Sequence, residues 1–311
     1  MKRISIAISI IFFLLLSSCG VTSIHDRYSD MARIKNDLTI ITKTEKSRNY
    51  QNPETLNSVA LYIFNELSKS CDTVYFQTYL VNGIEYKNVI GSIGRNRIEK
   101  IVIGAHYDVA GEQEGADDNA SGVVGVLELA RLLSKEPLKY QIEFVAYTLE
   151  EPPFFGGNEM GSYIHAKSIF DKGEKIKGMI CLEMIGYFND YPKSQDYPVG
   201  FLKLFYGDKG NYITVVQKFG NGAFGRQVKR LMKRQDLINT KSFKGPASLQ
   251  GVDFSDHRNY WKFNYSAVMI SNTAFYRNEN YHENTDKLET LDLNRMGLVI
   301  DELYMTVKKI K

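Results

Sequence analysis

Residues 101–105 read Ile-Val-Ile-Gly-Ala, apolar at every position, and end in His106-Tyr107-Asp108. A strand with one wet face alternates polar and apolar residues, so this run predicts a strand covered on both faces, as in a parallel or mixed sheet between helices. The segments 141–148, 179–185 and 267–270 repeat the pattern, and 72–80 and 88–93 are further strand candidates. Between them the apolar spacing turns helical. After Asn52-Pro53 it runs through Leu56, Val59, Ala60, Ile63, Phe64 and Leu67, within 121–134 through Val124, Leu127, Leu129 and Leu132, and a last helix is predicted over 294–309. Strands alternating with helices predict an α/β chain: one three-layer α/β/α domain over 35–311 around a mixed, mostly parallel sheet. Residues 188–250 are rich in Tyr, Phe, Gly and Lys and read as an excursion from that domain, a lid, strand-like at 201–205 and helical at 225–234.

The chain opens with Met1-Lys2-Arg3 and an apolar run from Ile4 to Leu16, too short to span a bilayer comfortably, followed by Leu16-Ser17-Ser18-Cys19-Gly20. This resembles a bacterial lipoprotein signal with its lipobox. The expectation is a signal peptide over 1–19, lipidation of Cys19 and a polar tether over 20–34. Gly20, where inner-membrane retention uses Asp, points to the outer membrane. Cys71 and Cys181 remain; they could pair, but Cys181 lies in an apolar strand and reads as a buried free thiol. The 39 basic and 36 acidic residues give a net charge of +3, or +1 without Lys2 and Arg3, which offers no electrostatic case for nucleic acid.

Acidic and imidazole groups gather where the strands end. His106 and Asp108 close one strand, Glu150-Glu151 follow another, and Glu183 lies in a third. In open α/β sheets the carboxyl ends of strands form the ligand crevice. The loop Gly115-Ala116-Asp117-Asp118-Asn119-Ala120-Ser121-Gly122 enters a helix between the first two. Carboxylates crowded in one place repel, and a divalent metal relieves that conflict. An imidazole among them suits zinc, with manganese or cobalt as substitutes.

The order Gly-Ala-His-Tyr-Asp, Gly-Ala-Asp-Asp-Asn-Ala-Ser-Gly, Glu-Glu, Leu-Glu-Met-Ile-Gly, Ser-Asp-His and Tyr-His-Glu-Asn-Thr-Asp runs from Gly104 to Leu288. It resembles the co-catalytic zinc aminopeptidases, the family of bacterial leucyl aminopeptidase, aminopeptidase S and, more distantly, glutaminyl cyclase. The resemblance implies two zinc ions, with His106 and Glu183 on one, Glu151 and His282 on the other, and Asp117 bridging both. It implies Glu150 as general base and Asp108 as the group accepting a hydrogen bond from His106. Neighbours on a strand point to opposite faces, so the division of Glu150 and Glu151 into base and ligand rests on the resemblance. Glu183 stands where well-known members carry Asp.

Ser255-Asp256-His257 cannot be a serine triad, whose members converge from separate places. Asp256 and His257 read as site wall, with His257 a candidate oxyanion or substrate contact, and Arg277 is expected to pair with Glu279 or Glu283. The function these readings imply is an aminopeptidase acting on peptides. A carboxypeptidase or dipeptidase, a glutaminyl cyclase and an inactive binding domain of the same fold are the alternatives.

Overall fold

The computed structural model describes residues 27–95 and 97–311, so the expected signal peptide and Cys19 lie outside the described residues. The frame is one eight-stranded sheet of β1 (Thr73–Val81), β2 (Ile84–Ile93), β3 (Lys100–His106), β4 (Gln141–Tyr147), β5 (Ile176–Glu183), β6 (Ile213–Lys218), β7 (Thr240–Gly245) and β8 (Ala267–Ser271). Their spatial order is β1-β2-β4-β3-β5-β8-β6-β7. The pairings β4–β3, β3–β5, β5–β8 and β6–β7 are parallel, while β1–β2, β2–β4 and β8–β6 are antiparallel.

The apolar runs form the middle of the sheet because both faces are covered. On one face Ile103, Phe144 and Ile180 belong to one core with α1 (Met31–Thr42), α2 (Pro53–Ser68), α3 (Gly122–Leu133), α6 (Gly222–Gln235) and α8 (Leu293–Lys308). On the other, Val102, Val145 and Met179 meet α4 (Gly161–Asp171) and α7 (His257–Lys262). The short α5 (Lys203–Tyr206) lies outside this arrangement of layers. No helix among the described residues is long and apolar enough to cross a membrane.

Three expectations are corrected. Residues 27–34 are fold, not tether: the Ser29 amide donates to Asp301 on α8 at 2.7 Å, Asp30 caps α1, and Ile34 is buried. The excursion over 188–250 is in part sheet, since the apolar run Ile213-Thr214-Val215-Val216 is buried and pairs antiparallel with β8. Residues 201–205, expected as strand, form a short turn of helix with Phe201, Leu204 and Phe205 exposed, because no neighbouring strand takes up their backbone. Cys71 and Cys181 are both free.

Candidate active site

The parallel strands β3, β4 and β5 deliver His106, the Glu150-Glu151 turn and Glu183 to one rim. Glu150 and Glu151 reach the same place because β4 ends at Tyr147 and Leu149 takes a left-handed φ of 59°, which breaks the strand's alternation before the pair. The Asp108 carboxylate then fastens that turn, accepting the amides of Glu150 and Glu151 at 3.2 and 3.1 Å. Asp108 also stays beside His106, where the sequence expects it, as a looser partner. The nearer partner of His106 Nδ1 is the Asp108 carbonyl oxygen at 3.2 Å, with the carboxylate at 3.7 Å.

The acidic loop supplies the centre, and there the expectation for Asp117 fails. Its Oδ1 accepts the Gly186 amide at 2.9 Å, and its Oδ2 accepts the side-chain amides of Asn272 and Asn278 at 2.7 and 2.8 Å. Five donors thus hold it inside the protein once the Tyr187 amide and Ser121 hydroxyl are included. Asp118 is the aspartate that lies between the two imidazoles. Its Oδ1 lies 3.4 Å from His106 Nε2 and its Oδ2 lies 3.3 Å from His282 Nε2. His106 Nε2 is also 3.4 Å from Glu183 Oε2, and His282 Nε2 is 3.2 Å from Glu151 Oε2. Glu150 Oε2 stands slightly apart, 3.8 Å from His106 Nε2.

Several residues without a role in the sequence reading hold this arrangement. Asp286 accepts the amides of Asp117 and Asp118 at 2.8 and 3.0 Å. Ser255 donates to Glu183 Oε2 at 2.6 Å, and Asn119 joins the loop to β5 through the Leu182 carbonyl and the Met184 amide. Buried Arg48 donates to the carbonyls of Tyr107, Glu114 and Gly115, joining the strand end to the acidic loop. Asp286 sits inside the Tyr-His-Glu-Asn-Thr-Asp motif, which was a signal; Arg48 gave none.

His257 is not a substrate contact. It is buried, its Nε2 faces the Val252 carbonyl at 2.8 Å, and its ring packs edge-on against Trp261. Burial pulls its pKa down to about 4, so it is neutral at physiological pH. Asp256 is fully buried, and burial pushes its carboxyl up to about 7. Arg277 pairs with neither Glu279 nor Glu283; it donates to Gln195 and to the Tyr212 carbonyl.

The electrostatics show a site short of positive charge. Burial pushes Glu150 well above the usual carboxylate range, with Glu151 and Glu183 adding to the rise against His106. Burial, reinforced by Asp118, brings Glu151 up to about 7. Burial alone would lower His282, yet Asp118 and Glu151 raise it to about 10. Among the described residues no Lys or Arg forms an ion pair with Asp118, Glu150, Glu151 or Glu183.

These donors fit divalent metal. Asp118 Oδ2, Glu151 Oε1 and His282 Nε2 are buried polar atoms with no hydrogen-bond partner, and His106, Asp118 and Glu151 can bring one ligand atom each within 4.8 Å of one another. Donors around a tetrahedral ion with bonds of about 2 Å sit about 3.3 Å apart. The four imidazole–carboxylate separations of 3.2 to 3.4 Å match that spacing on both sides of Asp118.

A cleft opens over Asp118, Glu150, Glu151 and His282. Beside it, a narrower pocket starts at Glu183 and runs between Tyr197, Tyr206, Tyr212, Phe243 and Phe275. Glu183 and Phe254 line both.

The sequence is 39% identical to an uncharacterised Escherichia coli protein, YfbL, over 97% of each chain. It is 27% identical to a probable leucine aminopeptidase of Trichophyton verrucosum, over 84% of this chain and 66% of that one, so it spans about two thirds of the fungal protein. By fold it is similar to LapB from Legionella pneumophila, with a TM-score of 0.69 and 21% identity over 89% of this chain and 71% of that one. It is similar too to the Bacteroides thetaiotaomicron glutaminyl cyclase, with a TM-score of 0.67 and 18% identity over 91% and 98%. Residues 88–307 match the profile of Peptidase family M28, and the chain belongs to that family.

Proposed function

We propose that this protein is a metal-dependent aminopeptidase that removes bulky apolar or aromatic residues from the N-termini of peptides. The observation that carries the reading is Asp118, set between two imidazoles with a further carboxylate beside each. His106, Asp118 and Glu183 would hold one zinc ion, and His282, Asp118 and Glu151 a second, with manganese or cobalt as substitutes. Bound metal supplies Lewis acidity, which polarises a carbonyl and makes water easier to deprotonate.

Glu150 is left to move the proton. Its carboxylate faces the cleft, outside the 3.2 to 3.4 Å spacing, where it can take a proton from water and return it to the leaving amine. Asp108 fixes that carboxylate through the backbone of the Glu-Glu turn. The aromatic pocket at Glu183 has room for one large side chain, and the leucine aminopeptidase names among the relatives support attack from the N-terminus.

The anchoring reading is also a proposal: export, a lipid on Cys19, and attachment to the outer membrane. Intact mass of the N-terminal peptide tests it. For the activity, the zinc-loaded protein is incubated with a peptide mixture of which half is N-acetylated. Stepwise loss from free N-termini alone supports the aminopeptidase. Loss from C-termini would mean a carboxypeptidase, loss of ammonia from N-terminal Gln a cyclase, and no change with zinc bound an inactive binding domain.

A further inference from the structure

Positive charge is segregated on this chain. Residues 193–244 carry eleven Lys and Arg against three Asp, a net of +8, while the remaining sequence carries twenty-eight basic against thirty-three acidic residues, a net of −5. Part of that charge lies on α6, whose Arg226, Arg230, Lys233 and Arg234 are exposed while Phe224, Val228 and Met232 face the core.

Large apolar side chains stand out of the same segment. Leu204 is 85% exposed, Phe205 75%, Phe219 61% and Phe201 59%. Single exposed apolar residues are ordinary, but four in one basic segment mark a contact surface. They flank β7, the open edge of the sheet. Tyr206 donates to the Ser242 carbonyl at 2.7 Å, which seats the 200–206 turn there, and the Phe219 amide donates to the Gly245 carbonyl at 2.9 Å. Exposed Lys244 lies 6.0 Å over the Phe219 ring.

The N-terminal end of the described chain comes to the start of this segment. Arg27 donates to Asn294, and its neighbour Arg295 pairs with Asp190 at 2.6 Å, beside exposed Tyr191. From Arg27 back to Cys19 is eight residues, at most about 28 Å of extended chain. On the anchoring reading above, a lipid on Cys19 keeps this flank near the bilayer.

We propose that the turn 199–206, Phe219 and the basic residues around β7 form a docking surface for an anionic phospholipid membrane. Lys and Arg draw the surface toward anionic headgroups, and Phe201, Leu204, Phe205 and Phe219 enter the boundary between headgroups and acyl chains. A nucleic acid would use the charge and leave Leu204 without a partner. Docking also has a consequence for the site. Leu202 and Tyr206 of the same turn line the pocket at Glu183, so the mouth of that pocket faces the membrane surface.

The test uses the full-length chain carrying Leu204→Trp. The parent's single tryptophan, Trp261, is buried and gives the baseline. Vesicles of phosphatidylcholine, alone or mixed with phosphatidylglycerol, carry bromine-labelled acyl chains. The expected result is quenching of the introduced indole by about twofold or more on the anionic vesicles only, as its side chain enters the boundary. Lys203→Gln, in the turn, and Lys244→Gln, beside Phe219, should each lower the partition coefficient about fivefold while peptide hydrolysis in solution is unchanged. An indole left unquenched on vesicles that carry the protein, equal quenching on neutral vesicles, or binding to duplex DNA in preference to vesicles would overturn the proposal. Quenching with Cys19 found unacylated would remove the anchor and keep the docking surface; acylation without quenching would do the reverse.

Discussion

Among the described residues, His106 and His165 are both buried beside carboxylates, and the difference between them separates a site from a support. His165 on α4 lies 3.2 Å from Glu143 and 2.6 Å from the Tyr260 hydroxyl, and Glu143 in turn accepts from Lys100 at 2.9 Å. Burial would raise the Glu143 carboxyl, but His165 and Lys100 outweigh it and hold it at about 2. The chain neutralises that network with its own cation. His106 instead faces Asp118, Glu150 and Glu183, which no Lys or Arg among the described residues pairs with, and there the carboxyls of Glu150 and Glu183 are pushed up. A buried cluster that its own fold leaves unbalanced is completed by what it binds.

The sharpest way to break this contrast acts on the unbalanced side. Glu150→Gln should lower kcat about 10³-fold, the scale of a lost general base, with the zinc content unchanged. Mass spectrometry of peptide loss beside metal analysis checks both halves. On the balanced side, His165→Ala should cost about 1–3 kcal/mol of stability, since it takes one of the two partners from buried Glu143 and leaves Lys100 as the other, and should leave kcat per folded molecule where it was. Urea unfolding followed by an activity assay decides it; a fall in turnover would merge the two networks.

Glu143 sharpens the comparison through pH. Its folded-state pKa lies below its unfolded value of about 4.5, so the stability it contributes is full above about pH 4.5 and is lost as pH falls toward about 2. Glu143→Gln should therefore cost about 2–3 kcal/mol near neutrality and progressively less as pH drops. Asp117→Asn is the smallest change, about 1–3 kcal/mol from turning an amide toward donors, with metal content retained.

The strands of the sheet centre were readable because burial on both faces leaves short apolar runs without the alternation of a half-exposed strand. β7 was not, since its Lys241 and Lys244 suit an open edge and hide the pattern. Within the site, His106, Glu150, Glu151, Glu183 and His282 were named from the sequence and come together in space. The choice between Asp117 and Asp118 was not legible. Two adjacent aspartates in a loop differ only in which partners claim them, and those partners, Asn272, Asn278 and Asp286, lie more than 150 residues away. His257 failed for a related reason. A His beside an Asp looks chemical in sequence, whereas the fold turns its Nε2 to a carbonyl and its ring to Trp261.

Asp118 is where the account is most exposed, so the direct measurement is the zinc content of the parent, Asp118→Asn and Asp117→Asn, each dialysed against zinc and counted by elemental mass spectrometry. The account predicts two ions in the parent and in Asp117→Asn, and at most one in Asp118→Asn with turnover gone. Two ions and normal turnover in Asp118→Asn, or loss of metal only in Asp117→Asn, would contradict it.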